Sequence, residues 1–138
     1  PVPTSSQCAY VFLECGAVLV GDTSRRGSFV GNPSGEANFL VSVTQPTRLR
    51  FSTCNPVTTF DTFLRLYNKC PGAYPPSHGH NITTEDPNYG GCSELVYIAE
   101  EPGTLWLVVE GEHSPGSAKS EGVFQLALEC DPGPTALP

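Results

Sequence analysis

Methionine is absent from this 138-residue chain, tryptophan occurs once, and charged residues make up only 15% of it. Seven Lys and Arg stand against fourteen Asp and Glu, for a net charge of -7. That balance argues against binding along a phosphate backbone, because counterion release needs clustered cations. No apolar run approaches the roughly 20 residues of a membrane-spanning helix, so membrane insertion is not expected. No Cys-x-x-Cys or Cys/His spacing suits tetrahedral zinc. No signal-peptide pattern opens the chain, and Pro1-Val2-Pro3 is not a translation start. The segment is therefore expected to be a processed or excised piece of a longer protein.

What is plentiful is Gly and Pro, fourteen of each, together with six cysteines. Frequent reversals leave little room for long helices and favour short strands joined by turns. Six Cys in a short chain without metal-ligand spacing read as three disulfides, which places the protein outside the reducing cytosol, extracellular or at the cell surface. Both ends are rich in Pro, Ser, Thr and Gly and lack periodic apolar residues, so residues 1–7 and 131–138 are read as linkers around one domain at 8–130.

Within that domain, short apolar stretches recur between turn signals. Strands are predicted at Ala17–Asp22, Asn38–Val43, Thr47–Thr53, Phe63–Tyr67, Leu95–Ala99, Thr104–Glu110 and Val123–Glu129. Thr47–Thr53 alternates cleanly, with Leu49 and Phe51 on one face and Arg48, Arg50 and Ser52 on the other. Phe124, Leu126 and Leu128 likewise share a face. Trp106 lies in the most apolar stretch, where its neighbours Leu105 and Leu107 favour core packing over a sugar-stacking platform. Pro71–Gly91 and Gly111–Glu121 read as long polar loops. Seven or more such strands predict an all-β, disulfide-stapled antiparallel β-sandwich, jelly-roll-like, with proline-rich tails.

The order of motifs carries a resemblance. Cys8-Ala9-Tyr10, Cys15-Gly16 and Val20-Gly21-Asp22-Thr23-Ser24 come first. Ser52-Thr53-Cys54, Phe60-Asp61-Thr62-Phe63-Leu64-Arg65-Leu66-Tyr67 and Cys70 follow, then Gly103–Gly111 and Gly122-Val123-Phe124-Gln125-Leu126. Across Cys8–Cys130 this resembles the pre-peptidase C-terminal domain family, small β-sandwiches that serve as accessory modules on secreted proteases, adhesins and surface proteins. The family's acidic Asn-Asp-Asp segment has a loose counterpart in Thr84-Glu85-Asp86-Pro87-Asn88.

Side-chain roles are read from the residues themselves. At the Phe60-Asp61-Thr62 corner, Pro56 stops the preceding ladder, Phe60 plugs the core and the Asp61 carboxylate is expected to accept backbone N–H groups before Thr62 re-enters a strand. Six cysteines allow 15 pairings. The predicted strands favour Cys70 with Cys92 across the base of a loop and Cys15 with Cys130 at the domain's ends, leaving Cys8 with Cys54.

No catalytic residues are expected. No Ser sits in a Gly-x-Ser-x-Gly elbow, the cysteines are read as oxidised, and Glu100-Glu101 and the histidines His78, His80 and His113 read as solvated. No cofactor is expected; calcium is the weak candidate, at Glu85, Asp86 and Asn88, whose oxygens suit a hard cation without EF-hand spacing. Asn81-Ile82-Thr83 is an N-glycosylation sequon in a polar stretch.

The expected function is a non-enzymatic building block of an extracellular glycoprotein, a repeating unit of a surface fibre or wall layer. Its expected partners are copies of itself or neighbouring domains, with glycans as the other class. The rivals are a carbohydrate- or calcium-dependent adhesion module and a non-catalytic accessory domain of a secreted protease.

Overall fold

The computed structural model describes residues 11–23, 36–68, 81–85, 92–111 and 122–133, with the side chains of residue 36 and of residues 81–85 left out of the description. These residues form nine strands: β1 Val11–Phe12, β2 Val18–Asp22, β3 Glu36–Val43, β4 Thr47–Ser52, β5 Thr62–Tyr67, β6 Asn81–Glu85, β7 Glu94–Ala99, β8 Gly103–Gly111 and β9 Val123–Pro132. They build two layers, a five-stranded sheet in the order β1-β3-β8-β5-β6 and a four-stranded sheet in the order β2-β9-β4-β7. All pairings are antiparallel except β1 with β3, which is parallel.

The period-two pattern sets which faces meet. Leu49 and Phe51 of β4 point inward with Phe124, Leu126 and Leu128 of β9, each at most 1% exposed. Opposite them lie Leu64 and Leu66 of β5 and Leu107 and Val109 of β8, all fully buried. Phe124 is the hub, meeting Phe39 and Phe60 edge-on at centroid distances of 6.2 and 6.4 Å. Truncating such a ring to Ala costs about 3–5 kcal/mol.

Gly21 makes room for that hub. A Cβ at this position would come within 2.5 Å of Phe124 Cζ, so only hydrogen fits between β2 and the ring. Gly16 turns the chain from β1 to β2 with φ of 86°, a left-handed conformation that costs an L side chain energy.

Every predicted strand is present, with no end shifted by more than three residues. Two strands had no counterpart in the expectation. β6 lies inside Pro71–Gly91, read as a loop; Asn-Ile-Thr-Thr-Glu has one apolar residue, and an edge strand paired only to β5 needs no alternation. The two-residue β1 is too short to show a period. The domain boundary also moves, because β9 runs on through Asp131 and Pro132 and Gly133 N donates to Pro46 O at 3.1 Å. Residues 1–7 lie outside the described residues.

Trp106 packs on apolar neighbours, though outside the inter-sheet core. Strand alternation turns it to the outer face of the five-stranded sheet, where it packs on Tyr67 and Val108 in a cluster separate from the inter-sheet core.

Candidate functional site

Three features concentrate polar chemistry: a corner at one end of the sandwich, an ionic strip on the outside of the four-stranded sheet, and the junction where the described chain enters and leaves.

The corner is built from the run Ser52-Thr53-Cys54-Asn55-Pro56-Val57-Thr58-Thr59-Phe60-Asp61-Thr62, which carries the chain from β4 in one sheet to β5 in the other. Thr53, Thr62 and Ser93 are at most 1% exposed there. Thr53 Oγ1 lies 2.7 Å from Thr62 Oγ1, which lies 2.9 Å from Ser93 Oγ. Ser93 Oγ donates to Thr62 O at 2.7 Å, and Ser93 N donates to Thr53 Oγ1 at 2.9 Å. Buried hydroxyls require partners, and here they satisfy one another across the two sheets.

The rest of the turn is held the same way. Asn55 Oδ1 accepts from Val57 N while its Nδ2 donates to Gln125 O. Thr58 Oγ1 donates to Thr53 O, and Thr59 Oγ1 donates to Val123 O.

Of the corner residues, Phe60 packs against the core, Thr62 opens β5, and Asp61 is set apart. Its Oδ1 is buried without a hydrogen-bond partner, so the capping falls to Asn55, Thr58 and Thr59. Those residues and Asp61 line a groove of about 440 Å³ beside Cys54 and Cys92. The density of Ser and Thr around Cys54 was the available signal, and it does not name which hydroxyls pair.

Cys54 and Cys92 are bonded, which corrects two expected pairs, Cys70–Cys92 and Cys8–Cys54. The reason is topological. β5 and β7 belong to different sheets, and Ser93, next to Cys92, bonds the Thr62 end of β5, whereas Cys70 follows its Tyr67 end. β4 and β7 are neighbours, with Ser52 opposite Glu94, and continuing that register brings Cys54 to Cys92 at a Cα separation of 4.8 Å. Cys8 and Cys70 lie outside the described residues.

The ionic strip occupies the outer face of the four-stranded sheet. Arg50 donates from Nε and Nη2 to both oxygens of Glu94, at 2.9 and 2.8 Å, and from Nη1 to Glu129 at 3.1 Å. Arg48 reaches Asp131 at 3.4 Å. The forked bond from Arg50 holds the Glu94 carboxyl below its ordinary value of 4.5 against a smaller desolvation effect, and the two acids together raise the Arg50 pKa. Val18 and Val20 on one edge strand and Val96 and Ile98 on the other flank the strip and are exposed.

At the junction, Cys15 is bonded to Cys130 with Cα atoms 5.5 Å apart. The bond joins the β1–β2 connection to β9, and Gly16 N to Leu128 O at 2.8 Å and Leu128 N to Ala17 O at 3.1 Å reinforce it. Disulfides of this kind form in oxidising compartments.

Glu100 and Glu101 are exposed at the β7–β8 turn, beside a groove of about 530 Å³. Asn81 opens β6, in register with Tyr67. Of the calcium candidates, Glu85 closes β6, and Asp86 and Asn88 lie outside the described residues, as do His78, His80 and His113. Among the described residues no three His, Cys, Asp or Glu side chains group as a metal site would require.

No family model matches the sequence, and no curated protein aligns with it. Solved structures do match. The pre-peptidase C-terminal domain of a collagenase from Bacillus anthracis superposes with a TM-score of 0.56 at 14% identity, over 87% of this chain and 94% of that one. The fold is similar to a pre-peptidase C-terminal domain. PliG of Aeromonas hydrophila, a periplasmic inhibitor of g-type lysozyme, follows at a TM-score of 0.52 and 13% identity, over 89% of this chain and all of that one. At these identities the likeness is one of fold alone.

Proposed function

We propose that this chain is a non-catalytic structural domain of an extracellular glycoprotein, used as a building block of a surface fibre or wall layer. The Cys15–Cys130 bond carries this reading. It closes the body of the domain at the point where the chain enters and leaves, a use of covalent chemistry suited to a unit strung among others. The Cys54–Cys92 bond, the Asn81 sequon and the Pro, Ser and Thr of residues 1–7 and 134–138 support it. Copies of the same chain or adjoining domains are the proposed partners.

The test is to locate the chain in the cell that makes it. Immunogold labelling with an antibody against the domain is expected to decorate an external layer or fibre, and peptide mapping of that material is expected to show Asn81 carrying glycan. Label confined to the cell interior, on a chain with reduced thiols, overturns the proposal.

One observation favours a second reading. The fold likeness to a domain of a collagenase suits an accessory domain of a secreted protease, whose parent gene would encode a catalytic domain beside it. The flanking coding sequence separates the two. A glycan array with and without calcium tests the adhesion rival: saturable, calcium-dependent binding lost in Asp86→Ala would replace the building-block reading.

A further inference from the structure

We propose that the Cys15–Cys130 bond is a mechanical shunt, carrying tension past the folded body instead of through it. The proposal deepens the building-block reading and rests on it for its biological setting.

The argument is one of connectivity. A pull on the two ends of the chain reaches Cys15 from one side and Cys130 from the other. These residues are 115 apart in sequence but covalently joined, with Cα atoms 5.5 Å apart. The taut path therefore runs through residues 1–15, across the two sulfurs and out through 130–138. Residues 16–129 hang from that path as a closed loop. They contain β2 through β8, nearly all of β9 and the inter-sheet core except Leu13.

Among the described residues, few contacts of the fold remain on the load path. On the entering side they are the two register pairs of β1 with β3, the bond from Leu13 N to Leu40 O and the Leu13 side chain buried in the core. On the leaving side they are the last residues of β9, opposite Arg48 and Thr47, and the bond from Gly133 N to Pro46 O. Peeling all of these frees residues 11–14 and 131–133, roughly 25 Å of chain at about 3.5 Å per residue. Without the bond, tension would run through the sheets themselves, and the 115-residue separation would pay out about 400 Å if every cross-link were open.

The Cys54–Cys92 bond cannot substitute. It spans 38 residues wholly inside the loop, tying β4 to β7 within one sheet.

Single-molecule force spectroscopy on the full chain, held by handles at both ends, tests this. The oxidised protein is expected to show no rupture step longer than about 30 Å. The Cys15→Ser/Cys130→Ser variant, its other disulfides intact, is expected to extend in steps totalling at least about 150 Å. If that variant does not fold, the wild type held under constant force while reductant is introduced gives the same answer: long steps appear only after reductant arrives, since Cys15 is exposed to it. Extension of about 150 Å or more in the oxidised wild type, or no long step after reduction, overturns the shunt. Either result leaves the building-block reading to the labelling experiment, which measures location and not extension.

Discussion

The hydroxyl oxygens of Thr53 and Thr62 lie 2.7 Å apart, fully buried, at the ends of strands in different sheets. With Ser93 they make a polar tie between the two layers. Thr62→Val keeps the shape and deletes the hydroxyl, stranding donors and acceptors on both neighbours. It is expected to cost about 1–3 kcal/mol, while Thr62→Ser costs less. Urea midpoints measure the difference, and a Val variant as stable as the wild type would show that the tie contributes nothing.

Gly21→Ala tests how tightly β2 lies on the core. The added methyl meets Phe124, and the ring has no free direction because Phe39 and Phe60 flank it. A loss of about 1–3 kcal/mol is expected. Gly21→Ala combined with Phe124→Leu should cost less than the two single changes added together, a coupling that thermal melts of the four proteins would reveal.

The fold was legible wherever one face of a strand is buried, because alternation then writes the sheet into the chain: Leu49 and Phe51 against Arg48 and Arg50, or Phe124, Leu126 and Leu128 against Gln125 and Ala127. It was illegible in Asn81–Glu85, whose single apolar residue writes no alternation into the chain. The disulfide error has a different origin. Strand spacing along the chain does not say when the chain changes layers, and β5 and β7 lie in different ones. Residue type did not show which side of its sheet Trp106 packs on, since Trp106 and Val108 are apolar on the outer face as their neighbours are on the inner one. At the corner, Phe60 and Thr62 could be read from residue type. Asp61 was given the capping role that Asn55, Thr58 and Thr59 perform, since any short polar side chain there satisfies the same pattern.

Arg50 and Glu94 predict an acid-side effect of definite sign. Because the folded protein holds the Glu94 carboxyl below 4.5, the pair's contribution is fully present above that value and fades as pH falls through the depressed one. The stability difference between wild type and Glu94→Gln is thus expected to stay level from pH 7 to about 5 and to shrink below 4. Denaturant unfolding across that range checks it, and a difference that grows on acidification would contradict it. Raised salt is expected to weaken the pair, which lies on the surface.

Arg65 and Glu110 form an ion pair of the opposite kind. Arg65 Nε sits 2.6 Å from Glu110 Oε1, the Glu110 side chain is fully buried, and the guanidinium also stacks 4.9 Å from the centre of the Phe63 ring. Arg65→Ala takes a counter-charge from a carboxylate that water does not reach. A cost of about 3–5 kcal/mol is expected, well above that of removing a surface arginine such as Arg48. Chemical denaturation of both variants provides the comparison.

With Cys15 bonded to Cys130 and Cys54 to Cys92, the cysteines left in the sequence are Cys8 and Cys70. Peptide mapping without reduction is expected to recover them joined to each other, completing three bonds. Free thiol at either position would contradict this.

The nesting of the two bonds also decides what a single cut does. Any one break in the backbone between residues 16 and 129 leaves both pieces attached through Cys15 and Cys130, so a nicked copy keeps its mass and its place in whatever it belongs to. On a gel such damage would stay invisible until the sample is reduced. A layer made of these units could accumulate many cuts before losing a single fragment.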